Sequence, residues 1–412
     1  MKRTRRTRRR EQGAAGTEAA HHGAQAEVEI ERILPGGLGL AHAGGQTLLV
    51  ALAAPGDRVR VRVERVRGSV AFASITEVLA PSSSRVEPPC PYFGRCGGCD
   101  FQQLTYDAQL DAKVEIIRDC LRRVARIEPP PEILITPSPS AWRYRSRLRW
   151  QYDARRKHLG YYERGSHRIC DVVECPVALP PMQEKLSALR ARMREGELPE
   201  DASEFEAVAG DEGVSLLPPV AHGDDAGQVR VVAQERYHFD AACFFQINHE
   251  LLEPLVAEAT RGAEGASALD LYCGVGLFTL PLARRFARVT GVEGNAAACV
   301  YARRNLADAG LDNATVETSA VGDWLTKHAG RSAPADFVLL DPPRAGAEPE
   351  TVAAILALRP QHISYVSCDP ATLARDLRGL IAGGYLIASL RAFDMFPQTH
   401  HVETVVRLAR SS

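Results

Sequence analysis

The 412-residue chain has no apolar run approaching the roughly 20 residues that a membrane-spanning helix needs, so no membrane partner is expected. It also has almost no net charge, −1, so it is neither uniformly basic nor uniformly acidic. The charge is uneven instead. Seven of the first ten residues are Lys or Arg, and "REGELPEDASEFE" from Arg194 to Glu206 is acidic. No apolar segment follows the basic start, which argues against a secretory leader and for a cytoplasmic protein. The third glycine of a dinucleotide fingerprint is missing too. Thr279 stands in its place in "DLYCGVGLFTL", which weakens an NAD reading.

A composition of 45% hydrophobic and 25% charged residues is that of a soluble globular protein, and the length implies two or three domains. Ten cysteines, several beside glycine motifs, suit metal and catalytic roles in a reducing compartment better than a disulfide framework.

Residues 1–25 are Arg-rich, then Ala-, Gly- and Gln-rich, and read as a disordered basic arm, either solvated or in non-specific contact with phosphate. Residues 26–80 read as short strands with glycine turns, a small OB-like β-barrel. In "RVRVRV", Val59, Val61 and Val63 alternate with Arg58, Arg60 and Arg62, which predicts one basic face suited to nucleic acid. The alternation breaks at Glu64–Arg65, where a bulge or strand end is expected. A central region, 81–240, opens with the cysteine-rich "CPYFGRCGGCDFQQL" and a helix over about 104–127, with Cys120 in the core. In "AWRYRSRLRW", Arg143, Arg145, Arg147 and Arg149 are expected on one strand face, opposite Trp142, Tyr144, Leu148 and Trp150.

From 241 to 412 the pattern becomes strand–helix alternation. "ALDLYCG", "RVTGVEGN", "ADFVLLDPP" and "HISYVSCDP" are parallel-strand candidates, and the tail supplies an antiparallel hairpin. The fold class is therefore α/β, with a doubly wound C-terminal domain. Gly274 and Gly276 open a turn suited to close approach by a ligand. Glu293 follows at the end of the next strand, placed to accept hydrogen bonds from a ribose diol. Together they suit the adenosine of S-adenosylmethionine. Asp341 ends a buried strand and points into the crevice typical of such sheets. Arg344 occupies the place where amino-group methyltransferases carry a stacking aromatic, which argues against exocyclic amine chemistry.

Cys90, Cys96 and Cys99 are spaced Cys-x5-Cys-x2-Cys among glycines, with Cys175 or Cys170 as a fourth ligand. Four thiolates fit zinc or an iron–sulfur cluster, and the uneven spacing favours the latter. Cys368 precedes a helix start at Asp369–Pro370. Proximity to the positive end of that helix is expected to lower its pKa and favour thiolate.

These motifs, with "FFQIN", "LLDPPRAG", "YVSCDPATLARD" and "DMFPQTHHVETV", resemble the class I RNA 5-methyluridine methyltransferase family over nearly the whole chain after residue 25. The β-rich start looks like a TRAM domain. The resemblance implies a Rossmann-like methyltransferase domain that transfers a methyl group from S-adenosylmethionine to carbon 5 of uridine. It implies Cys368 as nucleophile and Glu403 as general base. Gln246, Tyr272, Gly274, Glu293 and Asp341 are implied at the methyl donor, and Cys90, Cys96, Cys99 and Cys175 as ligands of a [4Fe-4S] cluster. Leu277 and a site near Ala320 depart from the family pattern. TRAM plus the cluster looks like the large-subunit ribosomal enzymes more than the tRNA enzyme, so 23S rRNA is the expected RNA partner, and a monomer is expected. The competing readings are a tRNA enzyme and a non-catalytic RNA-binding iron–sulfur protein.

Overall fold

The computed structural model describes residues 21–328 and 335–411. The expected basic arm lies, up to residue 20, outside them. The chain divides into two compact units, one formed by residues up to Arg32 with Leu38–Ser83, the other by Ile33–Gly37 with Ser84–Ser412.

In the first unit the sheet runs in the order Gln25–Glu29, Arg58–Arg67, Val70–Ala80, Gln46–Ala51, Gly39–Ala43. Val59, Val61 and Val63 are buried with Val28, Leu48 and Val50, as the alternation requires. The register shifts between Val63 and Arg65, where the alternation broke. The arginine face differs from expectation. Arg60 stands opposite Glu27 on one side and Glu77 on the other and is paired with both, at 2.7 Å for Glu27. Arg62 pairs with Glu64 at 3.1 Å. The neighbouring strands supply acids in register, so the face is one of mixed sign.

The second unit holds two main layers. An antiparallel sheet runs Ile169–Asp171, His158–Tyr162, Arg147–Asp153, Glu204–Ala209, Val214–Leu217. The helix Pro180–Glu195 covers it, and Met182, Leu186 and Leu189 pack on Leu148, Trp150 and Phe205. The expected row of four arginines is not a uniform basic face, because the strand begins only at Arg147. Arg147 donates to the carbonyls of Cys243 and Ala241 and pairs with Glu206, while Arg143 takes a left-handed backbone, φ +53°.

The other layer is an eight-stranded sheet in the order Ala314–Thr318, Phe286–Glu293, Gly265–Leu271, Phe337–Leu340, His362–Ser367, Glu403–Arg410, Tyr385–Phe393, Leu134–Thr136. The first five are parallel, and the tail forms the expected antiparallel hairpin, with Glu403–Arg410 inserted beside His362–Ser367. Phe337–Leu340 is buried on both faces, as a central parallel strand must be.

The helix Tyr106–Cys120 and its continuation Leu121–Ala125 occupy the expected stretch, with Cys120 buried. Its side chains hold the segment that leads into the last strand. Lys113, fully buried, pairs with the equally buried Asp394 and donates to the Phe396 carbonyl at 3.0 Å. Tyr106 Oη donates to Asp394 at 2.8 Å, and Gln109 exchanges hydrogen bonds with Gln398. Removing one member of a buried ion pair strands the other charge, at a cost of about 3–5 kcal/mol. Lys113→Met should therefore lower the urea midpoint by that equivalent, and Lys113→Met with Asp394→Leu should recover most of the loss. An unchanged midpoint in Lys113→Met would show that the pair contributes nothing.

Candidate active site

The parallel part of the large sheet begins at Gly265–Leu271, runs outward through two strands, then crosses to Phe337–Leu340 on the other side of its starting strand. Such a reversal opens a crevice at the carboxyl ends of the strands. Tyr272, Glu293, Asp341 and Cys368 all follow or end strands on that side.

The first half of the crevice is a glycine turn locked by a carboxylate. Gly274 and Gly276 have φ of +55° and +94°, and a Cβ on Gly276 would lie 3.0 Å from Leu280. Tyr272 itself takes φ +63°. Glu293 accepts from Gly274 N at 3.0 Å and from Asn295 N at 2.6 Å, so the two predicted donor-site residues meet. Thr279, standing where a dinucleotide site has glycine, donates at 2.5 Å to the fully buried Asp270, which burial pushes up to about 7. Sequence reasoning missed that role. Leu277 turns its side chain into the core and takes the Tyr237 hydroxyl on its carbonyl at 3.0 Å, and Ala320 is exposed. Neither supplies a polar side chain to the crevice.

The second half assembles reactive groups. Asp341 accepts from Gln246 Nε2 at 3.2 Å, which joins those two predicted residues. Ser367 stands opposite Thr404 as the last pair of the antiparallel ladder, and just beyond it Glu403 acts electrostatically on Cys368. Asp369 caps the helix Pro370–Ala382 by accepting from Ala371 N and Thr372 N, both at 2.9 Å. A typical cap of this kind stabilises by about 1 kcal/mol.

That cap overturns the expected low thiol pKa. The Asp369 carboxylate takes up the first free N–H groups of the helix. Burial, with Glu403 and Asp341 nearby, pushes the Cys368 thiol up to about 12, against the pull of Arg344. Burial and Asp341 likewise hold Glu403 well above the usual carboxylate range. Glu403 is 1% exposed, and its Oε1 has no hydrogen-bond partner among the described residues. Burial raises Asp341 to about 7. Arg344 is the cation that pulls both Cys368 and Glu403 down. The sequence signalled it only as a departure from an aromatic position. His401 is pushed down to about 2 by burial and by the neighbouring His400, which makes it a poor proton acceptor.

Cys90, Cys96, Cys99 and Cys175 line a single cavity of about 140 Å³ with Phe93 and Tyr161. Cys170 does not line it; its sulfur lies 3.2 Å from Arg95 Nε. Burial raises Cys96 to about 11 and Cys99 to about 12. Among the described residues, no three His, Cys, Asp or Glu side chains converge tightly enough to hold a single metal ion. After Cys99, Asp100 accepts from His400 N at 2.9 Å and bonds His400 Nδ1 at 2.5 Å. That ties the cysteine segment to the loop before Glu403.

A family model described as tRNA (Uracil-5-)-methyltransferase matches residues 227–411, and a TRAM domain model matches residues 20–76. The 23S rRNA (uracil(1939)-C(5))-methyltransferase of Pectobacterium atrosepticum is 34% identical, over 92% of this chain and 92% of its own. The chain belongs to the RNA uracil-5-methyltransferase family. An uncharacterized RNA methyltransferase of Gloeobacter violaceus is 32% identical over 93% of this chain and 96% of its own. The crystal structure of Pyrococcus abyssi tRNA (uracil-54, C5)-methyltransferase with S-adenosyl-L-homocysteine superposes with a TM-score of 0.73. It covers 93% of this chain and all of that one, at 27% identity. This family member thus has an α/β methyltransferase fold and a TRAM domain. Among its described residues no helix is long and apolar enough to cross a membrane.

A thiol held near 12 reacts as its thiolate fraction allows, and that fraction grows about tenfold per pH unit between pH 7 and 10. Iodoacetamide labelling of Cys368 in the free protein, followed by peptide mass spectrometry, should rise at that rate. Arg344→Met should slow it at every pH, because the cation pulls the thiol down. A plateau above pH 8 would contradict this description of the site.

Proposed function

We infer that the protein transfers a methyl group from S-adenosylmethionine to carbon 5 of a uridine in RNA, through a covalent bond between Cys368 and carbon 6. The observation that carries the residue assignment is the opposition of Cys368 and Glu403 at the carboxyl end of the sheet, with Asp341 beside both.

Carbon 5 of uracil is a weak nucleophile. The Cys368 thiolate, formed as its proton passes to Asp341, adds to carbon 6 and pushes electron density onto carbon 5 and the carbonyl oxygen. The enolate's carbon 5 takes the electrophilic methyl that S-adenosylmethionine supplies. Glu403 then removes the carbon 5 proton, and the Cys368–carbon 6 bond breaks to regenerate the thiolate. Burial suits Glu403 to this step: it makes the carboxylate more basic, and among the described residues Oε1 has no competing donor. Arg344 offsets the negative charge that the thiolate and the carboxylates would otherwise accumulate. Glu293 and the Gly274 turn would hold the ribose of the methyl donor, and Gln246 with Asp341 would supply further contacts to it.

Ribosomal RNA is the preferred substrate. The relatives named for 23S rRNA, from Pectobacterium and Vibrio, share 31–34% identity with this chain over nearly its full length. The tRNA reading rests on the Pyrococcus structure. Mass spectrometry of ribosomal and transfer RNA from a strain lacking the protein separates the two.

The four-cysteine cavity fits an iron–sulfur cluster held by Cys90, Cys96, Cys99 and Cys175. Four thiols lining one cavity are the donor set that such a centre takes. When bound, the cluster would cross-link the segment that carries Asp100, and methyl transfer needs no electron from it. Protein purified without oxygen should be brown with about four irons per chain, and Cys90→Ala should bleach it. Stoichiometric zinc without visible absorbance would refute the cluster.

The order of steps separates the two catalytic roles. Cys368→Ala should abolish methyl transfer and any covalent RNA adduct. Glu403→Gln should add and methylate, then stall as a denaturation-resistant adduct carrying label from the donor methyl. Normal turnover of Glu403→Gln would assign the base elsewhere, and an unmethylated adduct would place its action before methyl transfer.

A further inference from the structure

A second concavity shares Gly98, Arg149 and Tyr161 with the cysteine cavity but is open and polar. Its volume is about 500 Å³, within the range of small-ligand sites. Tyr162 and Arg164, from the end of the strand His158–Tyr162 and the turn after it, form one wall. His400, three residues before Glu403, forms another.

The chemistry of this cleft is that of a nucleotide site. Tyr162 is 43% exposed, and the His167 ring meets it edge-on, centroids 5.4 Å apart, so an aromatic face is held in position without being covered. The Tyr162 carbonyl is itself fixed, because Gly97 N donates to it at 2.9 Å. A Cβ on Gly97 would lie 3.0 Å from that oxygen, so the close packing of turn on strand depends on glycine. Arg164 donates to the Cys99 carbonyl at 2.8 Å and forms no ion pair among the described residues. The two acids in the walls are already engaged: Asp100 bonds His400, and Glu163 pairs with Arg168 at 3.1 Å. An oriented guanidinium beside an exposed aromatic ring is a combination that binds single-stranded nucleic acid, through phosphate and base respectively. An RNA substrate extends beyond its target base, and its neighbouring nucleotides must lie on surface continuous with the reaction centre. The loop bearing His400 supplies that continuity.

We propose that this cleft binds one nucleotide flanking the target uridine, stacking its base on Tyr162 and pairing its phosphate with Arg164. The inference rests on the uridine-methylation reading and adds to it a subsite built by the cysteine-rich segment.

The test uses the full-length protein, purified without oxygen, and a 23S rRNA transcript containing 4-thiouridine. Irradiation followed by peptide mass spectrometry should find cross-links between residues 157 and 168. Tyr162→Ala should weaken binding about tenfold and leave kcat at saturating RNA unchanged, whereas Tyr162→Phe should bind as wild type. Arg164→Gln should reduce the log–log salt slope of binding by about 0.7, the loss of one phosphate contact. Wild-type affinity and slope in Tyr162→Ala and Arg164→Gln, with no cross-link in that segment, would overturn the proposal. If the wild type cross-links there but transfers no methyl group, the methylation reading falls and the cleft stands. If the wild type methylates and the variants are indifferent, the reverse holds.

Discussion

The arrangement depends on one strand pairing. Glu403–Arg410 lies antiparallel beside His362–Ser367 in a sheet that is otherwise parallel around the crevice. A parallel neighbour would bring an amino-terminal and a carboxyl-terminal residue to opposite ends. The antiparallel one brings the start of the last strand to the end of the fifth, so Glu403 meets Cys368. A one-residue slip would turn Glu403 to the other face of the sheet. The pairing is held by Val405, Val406 and Leu408, all buried. The entry to the strand is held separately, by Lys113, Gln109 and Asp100 acting on residues 394–400.

That second anchorage lets the central region fix the segment leading to Glu403. The residues before Glu403 have little regular structure of their own. Their geometry is imposed by a buried ion pair from the helix Tyr106–Cys120 and by the Asp100–His400 contact that follows Cys99. A cluster bound at Cys99 would stiffen one end of this chain of contacts. The electrostatics of the crevice are balanced between burial, which disfavours the charged forms of the thiol and carboxyls, and Arg344, which opposes it.

Much of this was legible in the sequence, for local reasons. The buried strand ends, the Asp369–Pro370 cap and the Val59–Val61–Val63 alternation each reflect a short-range periodicity or a capping preference. The carboxyl-end positions of Tyr272, Glu293, Asp341 and Cys368 followed from strand–helix alternation. What failed was set by distant partners. Arg60 and Arg147 looked like a phosphate-binding surface until the neighbouring strands brought Glu27, Glu77 and Glu206 into register. The Cys368 thiol looked activated by its helix, because nothing local says that the thiol is buried and that Glu403 arrives from across the sheet. The edge strand Leu134–Thr136 joins the sheet beside Tyr385–Phe393, and no nearby pattern announces it.

The central claim is that Cys368 and Glu403 exchange the proton on carbon 5 of a uridine for a methyl group. RNA carrying tritium at carbon 5 of its uridines measures this directly. Each methyl transferred should release one tritium from the target uridine into water, and Cys368→Ala should release none. Methyl incorporation into RNA without tritium release would place the chemistry at another atom and contradict the account.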